Sequence, residues 1–97
     1  MRNEVQELIK LGPMSSEKMV EVELVEKYEK LMHAIKSPLT KIEAERLASL
    51  FGPDSFYGLA WTLISLIESA PEWPKNVTLP DIENEWIQLL RERASKL

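Results

Sequence analysis

His33 is the only side chain in this sequence whose ordinary titration falls near neutrality, so acid–base or metal chemistry would begin with it. The chain offers it no second histidine and no cysteine. A metal site needs several converging donors, and the neighbouring Glu29 and Met32 do not supply them. His33 therefore reads as a surface or boundary histidine. The next candidates are the acids Asp54, Asp81, Glu83 and Glu85, as a general acid–base pair. Asp54 and Asp81 already stand where helix N-caps are needed. Glu83 and Glu85 are two apart on a helix and do not share a face. The four read as a solvated cluster. Nucleophile elbows, phosphate-binding loops and dinucleotide fingerprints are absent, and none of the three glycines lies in a glycine-rich loop. The pattern predicts no catalytic residue, no cofactor and no metal.

Aromatic residues are the other candidates. Tyr57, Trp61 and Trp86 could line a pocket for a small molecule, although aromatics at helical spacing also serve as core. Trp61 sits among apolar neighbours and is expected to be buried. Trp73 differs, because Pro71 and Pro74 flank it in a loop. It is either a lid on the core or an exposed anchor for a partner.

Charge narrows the partner. The 97 residues carry a net charge of −4. Between positions 54 and 85 the acids Asp54, Glu68, Glu72, Asp81, Glu83 and Glu85 face Lys75 alone. Such a surface favours a basic protein over nucleic acid or anionic lipid. Residues 40–67 have the helix–turn–helix length of a DNA reader, but Ser55–Ile64 contains no Arg, Lys, Asn or Gln to reach a base edge. The first twenty residues contain no apolar run of the signal-peptide kind. The longest apolar segment, 56–67, is broken by Gly58, Thr62 and Ser65 and falls short of the roughly 20 residues that span a bilayer. A cytoplasmic location is expected, without membrane contact.

Five helical segments, separated by Pro, Gly and Ser, position these residues. The first, about 2–11, ends at Gly12-Pro13. The second runs from just after Ser15-Ser16 to about Lys36, with Val20, Leu24, Tyr28, Leu31 and Ile35 as its apolar stripe. The third opens at Thr40, where Thr40 and Glu43 have the spacing of a capping box. Ile42, Leu47, Leu50 and Phe51 are its buried candidates, and Gly52-Pro53 stops it. The fourth is expected to begin at Asp54 or Ser55 and to be apolar nearly all round, apart from a row of Ser55, Gly58, Thr62, Ser65 and Ser69. That makes it the central core helix. The fifth begins near Asp81 and faces Ile82, Trp86, Leu89, Leu90 and Leu97 inward.

Three blocks of this sequence, Phe51–Leu63, Leu66–Pro74 and Asn84–Arg93, resemble a family of short uncharacterised bacterial proteins over about residues 50–94. The Gly-Leu-Ala-Trp core at 58–61 is fairly specific. The resemblance implies a bacterial source and a small standalone protein, and carries no activity with it.

The expected fold is one all-α, helical-bundle-like domain of about five helices over residues 1–97, almost entirely helical. The expected function is a non-enzymatic protein–protein interaction module, in concrete form an immunity-type or antitoxin-like inhibitor of a basic effector. Its partner-binding residues would be Glu68, Glu72, Trp73, Glu83 and Glu85. A small-molecule binding protein or weak enzyme using the Tyr57/Trp61/Trp86 pocket is the alternative, and the pattern leaves a homo-oligomer open.

Overall fold

Proline and glycine stops divide the chain into five α-helices, and the computed structural model describes all 97 residues. They are α1 (Asn3–Leu11), α2 (Val22–Ala34), α3 (Lys41–Leu47), α4 (Leu59–Glu68) and α5 (Glu85–Ser95), with a 3-10 turn at Ala48–Leu50 prolonging α3. The all-α expectation holds, and there are no strands. The protein is 55% helical rather than almost wholly so. The helices are shorter than the apolar pattern implies, and the connections between them carry much of the tertiary hydrogen bonding.

The central helix is α4. It packs on α2, α3 and α5, while α1 closes against α2 and α3. Leu59, Ala60, Leu63, Ile64, Leu66 and Ile67 bury its inner side in one core that draws on all five helices. Tyr28 of α2 meets the Phe56 ring edge-to-face at 5.2 Å, and its hydroxyl donates to the Gly12 carbonyl at 2.6 Å. Burial raises the Tyr28 pKa by disfavouring the phenolate. The hydroxyl, also within reach of the Leu11 and Pro13 carbonyls, fastens α2 to the glycine turn that ends α1.

The capping box forms as its spacing requires. Glu43 N–H donates to the Thr40 hydroxyl, and Thr40 N–H donates to Glu43 Oε1 at 3.0 Å. Glu43 does more than cap. Its side chain is only 2% exposed, and Oε2 accepts from the Arg2 backbone N–H at 3.2 Å and from Arg2 Nε at 2.9 Å. The remaining guanidinium nitrogens donate to the carbonyls of Lys36 and Pro38. One ion pair thereby joins the start of α1, the α2–α3 connection and the start of α3. Burial alone would raise the Glu43 carboxyl. The N–H groups of Thr40 and Arg2 and the guanidinium charge outweigh it and hold the pKa below the ordinary glutamate value.

Several expected placements change. Residues 17–21 do not join α2, because Glu17 is engaged by the turn that precedes α4. Leu24 is 37% exposed and Ile42 59% exposed, so both leave the predicted inner stripes. Asn84, not Asp81, caps α5, its Oδ1 accepting from the N–H groups of Trp86 and Ile87. The later start rotates Ile87 into the core and leaves Ile82 and Leu97 exposed. The peptide bonds Ser37-Pro38 and Trp73-Pro74 are cis.

Removing Arg2 would strand a buried carboxylate, so Arg2→Ala is expected to cost about 3 kcal/mol, read from a denaturant titration. Because the folded Glu43 carboxyl titrates below its unfolded counterpart, its contribution is complete above the ordinary glutamate range. It is lost as pH falls through the folded value. Glu43→Gln should therefore be less stable than the parent at neutral pH, and the gap should narrow between about pH 5 and pH 3. A constant gap across that window would show that the ionised form of Glu43 contributes nothing.

Candidate functional site

The residues just before α4 do not form a helix. Phe56, Tyr57 and Gly58 have φ of 48°, 54° and 86°, a left-handed turn containing two non-glycine residues. Each of those two costs on the order of 1 kcal/mol or more unless the surroundings hold it. Here Phe56 is fully buried against Tyr28. The Glu17 carboxylate accepts from Tyr57 N–H at 2.6 Å and from the Ser55 hydroxyl at 2.8 Å. The Tyr57 hydroxyl donates back to the Glu17 carbonyl at 3.0 Å.

Asp54 ties this turn to the rest of the molecule. Oδ1 accepts from Phe56 N–H at 3.0 Å, and Oδ2 from Glu17 N–H at 2.9 Å and the Ser16 hydroxyl at 3.1 Å. The Glu17 N–H is the largest influence on its carboxyl and lowers the pKa. Desolvation opposes that shift, and the Phe56 N–H, the Ser16 hydroxyl and the Lys18 charge add to it. The Asp54 carbonyl accepts from Trp86 Nε1 at 3.0 Å, and the Gly52 carbonyl from Asn84 Nδ2 at 3.1 Å. Gly52 also lets the Met14–Ser15 backbone pack against this turn, since a Cβ there would lie 2.2 Å from the Met14 carbonyl oxygen.

This framework fixes an aromatic group on the surface. Trp86 stacks with Phe51 at 6.3 Å and 12°, and meets Trp61 edge-to-face at 5.1 Å and 88°. Trp61 is 51% exposed, contrary to its expected burial. The inner face of α4 is made by Leu59, Ala60, Leu63, Ile64, Leu66 and Ile67, and Trp61 falls with Gly58 and Ser65 on the exposed side. Of the row of small residues, Gly58 and Ser65 face solvent, while Ser55 is bonded to Glu17 and Ser69 to the Leu39 N–H. Trp61 and Trp86, with Glu85, Gln88, Leu89 and Glu92, line an open depression of about 340 Å³. Tyr57, itself 61% exposed, lines a different one of about 230 Å³ with Val20, Val22, Val25 and Glu26. The three aromatic residues therefore do not enclose a single cavity.

The five residues read as partner-binding are dispersed. Glu68 and Trp73 come together in a depression of about 400 Å³, with Arg93, Lys96 and Leu97. Glu68 is already bound there, accepting two hydrogen bonds from Arg93 at 2.7 and 2.9 Å. Glu72 borders another depression with Met1, Thr40, Lys41 and Ile42. Glu83 and Glu85 are exposed, and Glu85 belongs to the Trp61/Trp86 depression. Trp73 is half-buried against the core, and its Nε1 is enclosed without an acceptor. It is a lid whose charged neighbours are the cations Arg91, Arg93 and Lys96 and the acid Glu68, which Arg93 binds. Sequence reasoning missed Glu17 and Glu92. Neither has a local signal, because each is placed by contacts far along the chain or by the pitch of α5.

His33 is exposed near the end of α2. No helix is long and apolar enough to cross a membrane. No protein-family model, curated protein or solved structure matches the chain.

The two tryptophans should separate in thermal melts. Trp61→Ala removes an edge-to-face contact from a half-exposed ring and is expected to cost about 1 kcal/mol. Trp73→Ala opens the core under the 71–80 loop and is expected to cost about 2–3 kcal/mol. The reverse order would contradict these placements.

Proposed function

We propose that this protein is a non-enzymatic interaction module that binds a more basic protein in the bacterial cytoplasm. In concrete form it is an immunity-type or antitoxin-like inhibitor that covers a cationic effector. The observation that supports this reading is a set of exposed carboxylates, Glu72, Glu83 and Glu85, that make no ion pair within the chain, two of them beside exposed large apolar side chains: Glu72 near Met1 and Ile42, and Glu85 near Trp61. Unpaired surface acids of one sign raise the encounter rate with a cationic partner. Apolar side chains that become desolvated hold the complex once formed. Glu68 contributes less than its position in the sequence implies, because Arg93 neutralises it.

Affinity purification from the source cells tests the reading. A basic protein should be recovered in near-stoichiometric amount, should be released by raised salt, and should lose its own activity when the complex re-forms. Recovery of acidic partners only, or of a partner whose retention is indifferent to salt, would contradict it.

A further inference from the structure

We infer that the basic partner docks on the depressions lined by Tyr57, Trp61 and Trp86 rather than on the one beside Trp73. The segment it presents is amphipathic, with apolar side chains on the rings and lysine or arginine side chains reaching Glu26, Glu85 and Glu92. This rests on the interaction reading above and adds the face and the form of the partner.

Three observations carry it. The first is exposure of large apolar groups that the fold holds in place. Trp61, Tyr57 and Val22 are 51%, 61% and 68% exposed. Tyr57 is fixed through Glu17, and Trp61 rests against Trp86, whose Nε1 is fixed to the Asp54 carbonyl. Groups ordered before binding lose little freedom on binding, so their contact area converts to affinity efficiently. The second is charge. Every charged residue lining the two aromatic depressions is an acid: Glu26 in one, Glu85 and Glu92 in the other. Glu92 reaches Lys96 at 3.4 Å, but both side chains are well exposed, and such a pair yields readily to a partner. A cation reaching Glu85 or Glu92 would also enter the depression that Trp61 lines, where the quadrupole of an aromatic face adds attraction.

The third observation concerns the other occupants. A second copy of this chain, related by a two-fold axis, would bring the same acidic rim against itself, which disfavours that pairing. The Trp73 side is lined by Arg91, Arg93 and Lys96, and its one lining acid is bound by Arg93. A cationic segment would meet like charge there.

The test uses a synthetic amphipathic leucine–lysine peptide on the ¹⁵N-labelled full chain. A lysine–serine peptide of equal charge and a leucine–glutamate peptide are the controls. The indole N–H signals of Trp61, Trp73 and Trp86 report the two sides separately. The leucine–lysine peptide should shift the Trp61 and Trp86 indoles and leave Trp73 in place. Trp61→Ala should keep its melt near that of the parent and weaken binding by about tenfold or more. Glu85→Gln with Glu92→Gln should flatten the salt dependence. If the peptide instead shifts Trp73 and spares Trp61, or binds the Trp61 variant unchanged, the placement is overturned while the basic-partner reading stands. Equal binding by the lysine–serine peptide overturns the amphipathic form. Equal binding by the leucine–glutamate peptide, or no binding by the leucine–lysine peptide, overturns the basic-partner reading as well. Concentration-dependent dimerisation that Trp61→Ala abolishes would assign the face to a second copy.

Discussion

Asp54 is the constraint on which the exposed face depends. Its carboxylate collects the Ser16 hydroxyl and the N–H groups of Glu17 and Phe56, and its carbonyl holds the Trp86 indole. These bonds bring three distant stretches of chain to one point: the 14–19 connection, the turn before α4 and the start of α5. Two non-glycine residues can remain left-handed there because the neighbouring groups leave them no better geometry. The consequence is directional. Phe56 points into the core against Tyr28 and Tyr57 points out, next to a helix α4 on which Trp61 is also exposed.

A second polar node, Arg2–Glu43, performs the same task at another place in the fold. Small domains bury a limited fraction of their surface, and long connections here leave many backbone groups outside regular helix. Buried or half-buried carboxylates answer both problems, because each accepts several N–H bonds and orders more than one segment. Both Glu43 and Asp54 have lowered pKa values in the folded state. Both therefore lose their contributions as pH falls through those values, so the same groups that order the connections also make the fold sensitive to acid.

Much of the architecture is legible in local pattern. The Thr40–Glu43 spacing, the Gly12-Pro13 and Gly52-Pro53 stops and the apolar density of 59–67 each correspond to an element or boundary of the fold. What local pattern could not show is set by distant contacts. Glu17 and Asp54 look like ordinary surface or capping acids until the fold brings them together, and Arg2 is 41 positions from Glu43. A left-handed Phe-Tyr pair has no composition signal, so an Asp-Ser start followed by apolar residues reads as a right-handed helix. Trp61 reads as buried because its neighbours are nearly all apolar, and only the packing of α4 shows which side is left exposed. Likewise Asp81 and Asn84 are both good caps, and only the Asn84–Gly52 bond decides between them. The candidate site shifted with these boundaries, from acids around Trp73 to acids around Trp61.

Hydrogen exchange at the Trp86 indole is the most direct measure of whether the Asp54 turn holds the aromatic face. It should be followed in the parent and in Asp54→Ala, with the Leu63 amide in the core of α4 as the internal reference. If the turn fixes the ring, the variant will speed exchange at the indole far more than at Leu63. Acceleration of both by the same factor would mean that Asp54 contributes only to global stability, and that the aromatic surface is ordered by something else.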